Sequence, residues 1–260
     1  MRIAVVGGGV MGGTLVTAMV RAGHEDVVVV ERSAERRAEL ERDGHATAED
    51  VSAIAGADVV LLVVKPQDVA TVLPEVAAAV QSHATVVSLA AGVRTATIEA
   101  ALPESVAVVR AMPNTPAVIG RGMFGVSPGA SVPADRLDVV VDLLASGGEV
   151  VVVDESRQDA VTAVSGSGPA YLFHLAEHMI AAGVEGGLDP EAARTLTVQT
   201  LVGASELLAG SDDPPEELRR RVTSPNGTTH AAISAFDAHG VGEGIRAGVR
   251  AAIARSAELG

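Results

Sequence analysis

The stretch Ile3-Ala-Val-Val-Gly-Gly-Gly-Val-Met-Gly12 decides the fold of the first half of the chain. Its first four residues favour a buried strand, and apolar residues recur at helical spacing from Leu15 onwards. The glycines between them have the spacing G-x-G-x-x-G, and a strand, this loop and a helix form the context that a dinucleotide fingerprint requires. Because such a loop brings the backbone close to a pyrophosphate at a helix N-terminus, we predict that NADH or NADPH binds here. A tight turn without a ligand is the alternative.

The second apolar run, Val27–Val30, ends at residues that bear on the choice of cofactor. Glu31 lies 19 residues after Gly12, where an acid holds the ribose hydroxyls of NADH. Arg32 and Ser33 are equally well placed to bind the 2′-phosphate of NADPH. The sequence carries both signals, so both cofactors stay open.

Short apolar runs alternate with helical patterns as far as residue 154. This alternation predicts an α/β fold, a doubly wound sheet of the Rossmann type that is parallel except for one antiparallel edge. Helices are expected early in this region at Ala34–Asp43 and Glu49–Ala55. The further predicted strands are Val59–Val64, Thr85–Leu89, Ala107–Arg110, Phe124–Ser127 and Glu149–Val153.

Three of these strands end at residues that we assign to the cofactor, because ligands bind at the carboxyl ends of parallel strands in such sheets. Val64-Lys65-Pro66 follows one strand, and Lys65 is the only lysine in an arginine-rich chain. Ala90 and Ala91 follow the next strand. Asn114 lies between two prolines after a third strand and is held in a rigid loop.

Strand patterns stop after residue 154, and the remaining sequence has helical patterns. We predict a dinucleotide-binding domain at residues 1–154 and an all-helical substrate-binding and dimerisation domain at residues 155–260. The long helices are apolar on more than one face, so they are expected to pack against a partner subunit. The predicted helices are Gln158–Val164, Pro169–Val184, Pro190–Leu208, Pro215–Arg221, Thr228–His239 and Val241–Ala257.

The composition narrows the class of function. Hydrophobic residues make up 48% of the 260 residues and aromatic residues only 2%, so Ala, Val, Leu and Ile must form the core. A net charge of −14 disfavours nucleic acid and anionic membranes as partners. The chain has no cysteine, no run of about 18 apolar residues and no signal-peptide pattern. We therefore expect a cytoplasmic protein.

One metal-binding pattern is set aside. His174-Leu-Ala-Glu-His178 matches the inverted zinc-protease pattern His-x-x-Glu-His. No third ligand follows it, so histidines at the surface or at a subunit contact are the better interpretation. No metal is predicted.

A second stretch, Val222-Thr-Ser-Pro-Asn-Gly-Thr-Thr-His-Ala-Ala232, predicts an anion site in the helical half. Pro225, Asn226 and Gly227 form a turn, and a helix is expected to begin at about Thr228. The N–H groups and the partial positive charge of such a helix start suit a small carboxylate or phosphate. A plain capped helix start is the alternative.

Six motifs, which occur in order along nearly the whole chain, resemble those of the pyrroline-5-carboxylate reductase family. The last two are specific, whereas the glycine loop is shared with many dehydrogenases. The motifs are Gly7-x-Gly-x-Met-Gly12, Val64-Lys-Pro-Gln67, Ser88-Leu-Ala-Ala-Gly92, Arg110-Ala-Met-Pro-Asn-Thr-Pro116, Asp159-Ala-Val-Thr-Ala-Val-Ser-Gly-Ser-Gly-Pro-Ala-Tyr171 and Val222-Thr-Ser-Pro-Asn-Gly-Thr-Thr229.

The resemblance implies hydride transfer from NADPH or NADH to the C=N bond of 1-pyrroline-5-carboxylate, which gives L-proline in the last step of proline biosynthesis. It also implies an intertwined helical homodimer, which in this family commonly assembles further to a decamer. The substrate carboxylate would lie on the N–H groups of Gly227, Thr228 and Thr229. Thr229 and Ser224 are the catalytic candidates, Thr229 as a proton relay to the ring nitrogen and Ser224 as support for the loop. Glu155 matches a family glutamate near the bound amino acid.

The resemblance also gives the cofactor-binding set. Val10 stands where the family often has Asn or Gln, which removes one polar contact. Asn226 replaces a glycine of the family motif, but Asn tolerates the same left-handed backbone, so we expect the loop geometry to survive. The cofactor-binding residues implied are Gly7, Gly8, Gly9, Val10, Met11, Gly12, Glu31, Arg32, Ser33, Val64, Lys65, Pro66, Ala90, Ala91 and Asn114.

Three other functions compete with this interpretation. A β-hydroxyacid dehydrogenase has a similar first half, but it needs a lysine in the helical domain, and this chain has none after Lys65. A reductase of another cyclic imine would keep every feature. A non-catalytic NAD(P)-binding regulator would keep the glycine loop but would not need Ser224, Thr228 and Thr229 in one turn.

Overall fold

In the computed structural model, which describes residues 1–259, eight strands form one sheet in the order β3-β2-β1-β4-β5-β6-β7-β8. Strands β1 to β6 are all parallel, so the predicted doubly wound α/β fold is confirmed. The strands are Ile3–Val6 (β1), Val27–Val30 (β2), Ala46–Ala48 (β3), Val59–Leu62 (β4), Thr85–Ser88 (β5), Ala107–Met112 (β6), Gly122–Pro128 (β7) and Gly148–Val152 (β8).

The last two strands of the sheet run against the others. Strand β7 pairs with β6 in antiparallel orientation, and β8 then pairs with β7 in parallel. The sequence predicts one antiparallel edge, so this detail is corrected to two reversed strands. The reversal occurs because the short link from β6 to β7 contains only a 3₁₀ turn, Thr115–Ile119, and a parallel crossover needs a dozen or more residues.

The predicted helix at Glu49–Ala55 is wrong. Strand β3 ends just before it at Ala48, and only Val51–Ile54 turn, as a 3₁₀ helix. The Asp50 carboxylate starts that turn by accepting the Ser52 N–H at 2.7 Å. Gly56, with φ of +79°, ends it, so too few residues remain for an α-helix.

Alternation along the strands builds a core on both faces of the sheet. Ile3 and Val5 are buried with the helices Val10–Arg21 (α1) and Ala134–Ala145 (α5) on one face. Ala4 and Val6 are buried with the helix Pro66–Ala79 (α3) on the other. The helices of this part of the chain are Val10–Arg21 (α1), Ala34–Arg42 (α2), Pro66–Ala79 (α3), Thr95–Glu99 (α4), Ala134–Ala145 (α5) and Gln158–Val161 (α6), which continues into a π-helical turn at Thr162–Gly166.

The chain divides by its contacts into two compact units. The sheet unit comprises residues 1–167 and the chain end from Ala252, and the helical unit comprises residues 168–251. The predicted domain boundary at residue 154 stays a prediction; by their contacts, residues 155–167 group with the sheet unit. The remaining helices are Gly168–Glu185 (α7), Pro190–Ala209 (α8), Pro215–Arg221 (α9), Thr228–Ala238 (α10) and Val241–Leu259 (α11).

Candidate active site

The glycine loop after β1 has the shape that a pyrophosphate requires. Gly7 has a φ of +108°, and a Cβ there would lie 2.6 Å from the Val63 carbonyl oxygen. A Cβ on Gly12 would overlap the Gly7 carbonyl oxygen. Helix α1 begins at Val10, and its N-cap residue, Gly9, offers no side-chain cap. The first N–H groups of α1 are therefore available to phosphate oxygens, and these residues fit a dinucleotide.

The Glu31 carboxylate is tied to the glycine loop. One of its oxygens accepts the Gly8 N–H at 2.9 Å, and the other accepts the Ser33 N–H at 2.8 Å. A carboxylate has about four lone-pair sites, so ribose hydroxyls can still donate to it. Its contact with a ribose stays a prediction.

Arg36, to which the sequence analysis gives no role, contacts the glycine loop. Its side-chain Nε donates to the Gly8 carbonyl oxygen at 2.6 Å. Its backbone N–H donates at 3.3 Å to the Ser33 hydroxyl, which caps α2. Arg32 instead forms an exposed ion pair of 2.6 Å with Glu75. The position of Arg36 in the first turn of α2, directly after the predicted ribose-binding residues, is the signal that would have pointed to it.

The other predicted cofactor residues follow three neighbouring strands at the edge of the sheet that carries the glycine loop. Val64-Lys65-Pro66 follows β4, and the exposed Lys65 is the N-cap residue of α3. Ala90 and Ala91 follow β5, and Ala90 is 3% exposed. Asn114 follows β6. Because β1, β4, β5 and β6 are consecutive in the sheet, the fold brings these segments together at one edge.

The Asn114 side chain connects three segments of the sheet unit. Its Oδ1 accepts the Met123 N–H at 2.9 Å. Its Nδ2 donates to the carbonyl oxygen and to the hydroxyl of Ser165, both at 3.3 Å. These bonds hold the loop after β6 against the π-helical turn, whereas a contact of Asn114 with the cofactor stays a prediction.

Glu155 lies in the sheet unit with both carboxylate oxygens bonded. The Thr95 N–H donates to Oε1 at 2.7 Å, and the Thr95 hydroxyl donates to Oε2 at 2.8 Å. Arg110, which is 5% exposed, places Nη1 3.5 Å from Oε1. The sequence assigns Glu155 to the substrate and gives Thr95 and Arg110 no role. The contact with substrate stays a prediction.

The predicted anion site at the start of α10 has the expected backbone. Helix α10 begins at Thr228, as predicted, with Gly227 as its N-cap residue and no side-chain cap. Asn226 has a φ of +62° and is the one non-glycine residue with positive φ among residues 1–259. It therefore adopts the left-handed backbone expected of the residue that replaces a glycine.

The donors at this helix start differ in one respect from the prediction. The Gly227 N–H already donates to the Ser224 carbonyl oxygen at 3.1 Å, and the first intrahelical bond runs from the Ala231 N–H to Gly227. Within the described part of the chain, the N–H groups of Thr228, Thr229 and His230 have no acceptor. The prediction includes Gly227, whose N–H closes the turn in this structure, and does not include His230; the contact of any of these donors with a substrate stays a prediction.

The His-x-x-Glu-His segment lies exposed on α7. His174 and Glu177 are 3.8 Å apart, and the rings of His174 and His178 pack edge to face with centroids 4.4 Å apart. Over the described range, no group of three or more His, Cys, Asp and Glu side chains could hold a metal ion.

Two family models match the chain. Residues 155–259 match the model for pyrroline-5-carboxylate reductase dimerisation, and residues 2–92 match the model for NADP oxidoreductase, coenzyme F420-dependent. The pyrroline-5-carboxylate reductase of Pseudomonas aeruginosa is 42% identical over 99% of this chain and 96% of its own length. The chain belongs to the pyrroline-5-carboxylate reductase family.

Solved structures of this family agree with the fold. A pyrroline-5-carboxylate reductase from Coxiella burnetii superimposes with a TM-score of 0.92 at 33% identity, over 99% of this chain and 98% of that one. The pyrroline carboxylate reductase of Plasmodium falciparum, solved with NADP bound, gives a TM-score of 0.89 at 26% identity, over 100% of this chain and 98% of that one.

These matches confirm the predicted family and the predicted enzyme class, an NAD(P)H-dependent oxidoreductase. The dimerisation model indicates an oligomer, and membership of this reductase family indicates a small-molecule substrate. From Met1 to Leu259, no helix combines the length and the apolar character needed to cross a membrane.

Proposed function

We propose that this protein reduces 1-pyrroline-5-carboxylate to L-proline with NADPH or NADH. The observation that carries the proposal is the uncapped start of α10 in a chain of this family. There, the free N–H groups of Thr228 and Thr229 lie at the positive end of the helix dipole. A small carboxylate is a ligand that such a site suits, and 1-pyrroline-5-carboxylate carries one.

The loop before α10 positions the substrate. The substrate carboxylate accepts the N–H groups of Thr228 and Thr229. The Ser224 carbonyl holds the Gly227 N–H and so fixes the turn from which these donors emerge. Gly227 acts through the turn rather than as a donor in this conformation.

The chemistry converts a C=N bond to a CH–NH unit, which requires a hydride at carbon and a proton at nitrogen. The bound nicotinamide cofactor supplies the hydride. The Thr229 hydroxyl hydrogen-bonds the ring nitrogen and relays to it a proton that comes from solvent water. Because the imine can already be protonated before reduction, the site needs no strong acid, and hydroxyl and amide groups suffice.

The sheet unit would hold the cofactor through the glycine loop, with Glu31 at the ribose and Lys65, Ala90 and Ala91 along the same edge. Arg36 adds a cation beside the Gly8 carbonyl. Arg32 is available to a 2′-phosphate if it leaves Glu75, and the ion pair it would leave is exposed and of small energy. Both cofactors therefore remain substrates in this proposal.

The oligomer is proposed to be a homodimer, built through the helical unit, that assembles further to a decamer as is common in the family. Its support is the dimerisation model over residues 155–259 and the exposed apolar side chains of α7 and α8. We further propose a cytoplasmic protein with neither nucleic acid nor membrane as a partner, in keeping with the net charge of −14.

The test is the rate of cofactor oxidation with 1-pyrroline-5-carboxylate, compared with its six-membered-ring homologue. We expect turnover with the five-membered ring and a kcat that falls about 100-fold in Thr229→Ala, the size of a lost proton relay. Thr223→Ala is the matched control, since the Thr223 hydroxyl bonds the Arg219 carbonyl and has no role at the ring. Cofactor binding without turnover, or a faster reaction of the larger ring, would overturn the proposal.

A further inference from the structure

A half-buried ion pair, Arg110 with Glu155, lies beside the loop that the proposed function assigns to the cofactor. This loop runs from Leu89 to Arg94, between β5 and α4. Its first residue is anchored by the sheet, because the Leu89 N–H donates to the Leu62 carbonyl oxygen at 3.0 Å. What anchors its other end is Glu155, which lies 60 positions further along the chain.

Glu155 caps the helix that ends the loop. Helix α4 begins at Thr95, and its N-cap residue, Arg94, makes no side-chain capping bond. The Glu155 carboxylate accepts both the Thr95 N–H and the Thr95 hydroxyl. A helix start leaves N–H groups that need acceptors, and here the acceptor comes from a distant segment. The position of Thr95, and with it the end of the loop, therefore depends on Glu155.

Arg110 holds the Glu155 carboxylate through an ion pair as well. Its side chain is nearly buried, and Glu155 is the one acceptor that its guanidinium has among residues 1–259. A buried charge needs a partner. Arg110 also lines a cavity of about 330 Å³ together with Gly92 and Arg94, so packing alone does not hold its side chain. Glu155 fixes Arg110 and Thr95 together.

We propose that Glu155 is a positioning residue that holds the loop between β5 and α4 in the conformation that receives the cofactor. This inference rests on the proposed function, because that function places Ala90 and Ala91 at the cofactor. The contacts that Glu155 makes are to Thr95, at the end of this loop, and to Arg110, which supports a positioning role.

The first experiment measures the Kd of NADPH by fluorescence titration, without substrate, for the wild type and three variants. Glu155→Ala removes the cap and leaves Arg110 unpaired. The double variant Glu155→Ala/Arg110→Met also removes the buried charge, and an apolar replacement of a whole buried pair is well tolerated. Glu99→Ala is the matched control, because Glu99 lies in the same helix but bonds the Ala130 N–H, away from the loop.

We expect Kd to rise about tenfold in Glu155→Ala, as for the loss of one or two hydrogen bonds. Tm should fall in Glu155→Ala and recover in the double variant, whereas Kd stays raised in both. Glu99→Ala should leave Kd unchanged. A Kd that returns to the wild-type value together with Tm, or that rises equally in Glu99→Ala, would overturn the positioning role.

Steady-state kinetics separate this inference from the function on which it rests. A raised KM for the cofactor with little change in kcat supports positioning. A raised KM for the imine with an unchanged Kd for NADPH would place Glu155 at the substrate and refute the inference. Failure of the wild type to turn over, with the Kd pattern intact, would refute only the proposed substrate.

Discussion

The two compact units of this chain are stabilised in different ways. In the sheet unit, every residue of β1, β4 and β5 is buried, and apolar clusters cover both faces of the sheet. In the helical unit, α7 and α10 contain no buried residue, and α8 contains only Ala193 and Thr197. The sheet unit thus carries its own core, whereas the helical unit presents apolar helices whose burial requires another chain.

The largest expected effect tests that contrast at two apolar residues of nearly equal exposure. Leu172 on α7 is 42% exposed, and Val139 on α5 of the sheet unit is 41% exposed. Leu172→Asp should abolish the oligomer, because burying an unpaired carboxylate in an apolar interface costs several kcal/mol. Val139→Asp should leave it intact. Light scattering coupled to size exclusion measures both masses, and equal masses for the two variants would break the contrast.

Two glycine variants separate stability from binding within the sheet unit. Gly7→Ala should lower the free energy of unfolding by about 2–3 kcal/mol, because φ is +108° and the Cβ would meet the Val63 carbonyl. Gly9→Ala should keep the wild-type Tm, since no atom lies within 4 Å of its Cβ. Its methyl group would instead crowd a bound pyrophosphate. Denaturant unfolding measures the first effect, and an equal loss of stability in Gly9→Ala would contradict the assignment.

Sequence patterns predict the sheet unit well where burial is complete. The runs Ile3–Val6 and Val27–Val30 are strands as predicted, because continuous β-branched and small apolar residues suit a parallel strand. Strand β3, Ala46–Ala48, was missed because three small residues at a sheet edge carry no such pattern. The order of the reversed edge strands also depends on pairing between distant segments, which local periodicity does not encode.

The same division holds for the candidate site. The glycine loop and the start of α10 could be predicted because their backbone geometry depends on local residue types. The bonds from Glu155 to Thr95 and Arg110 span 60 and 45 positions and exist only once the sheet has formed. Arg36 is an intermediate case, because its helix was predicted but the face that it presents to Gly8 was not.

A third prediction concerns how the sheet unit distinguishes NADH from NADPH. Glu31→Ala should lower kcat/KM for NADH about tenfold more than for NADPH if the carboxylate holds the ribose hydroxyls. The structure offers a second outcome, because Glu31 also binds the N–H groups of Gly8 and Ser33. Equal losses for the two cofactors would mean that Glu31 acts only by holding the glycine loop.

The smallest expected effect concerns acid stability in the helical unit. The hydrogen bonds from Arg220 lower the pKa of Glu217 from 4.5 to about 2, with a further contribution from Arg221. A lowered carboxyl pKa stabilises the fold above the unfolded value and loses that contribution as pH falls from about 4.5 towards 2. The difference in Tm between wild type and Glu217→Gln should therefore be small near neutral pH and vanish by about pH 2. A difference that grows on acidification would contradict this.

We propose that the sheet unit holds the cofactor and that the start of α10 carries the chemistry on the substrate. The most direct test measures two quantities, the Kd of NADPH and the kcat for 1-pyrroline-5-carboxylate, in each of the variants Gly9→Ala and Thr229→Ala. We predict a raised Kd in Gly9→Ala with turnover that recovers at saturating cofactor. Thr229→Ala should keep the wild-type Kd and lose turnover. A Thr229→Ala enzyme with full turnover, or with a Kd raised as far as that of Gly9→Ala, would contradict the account.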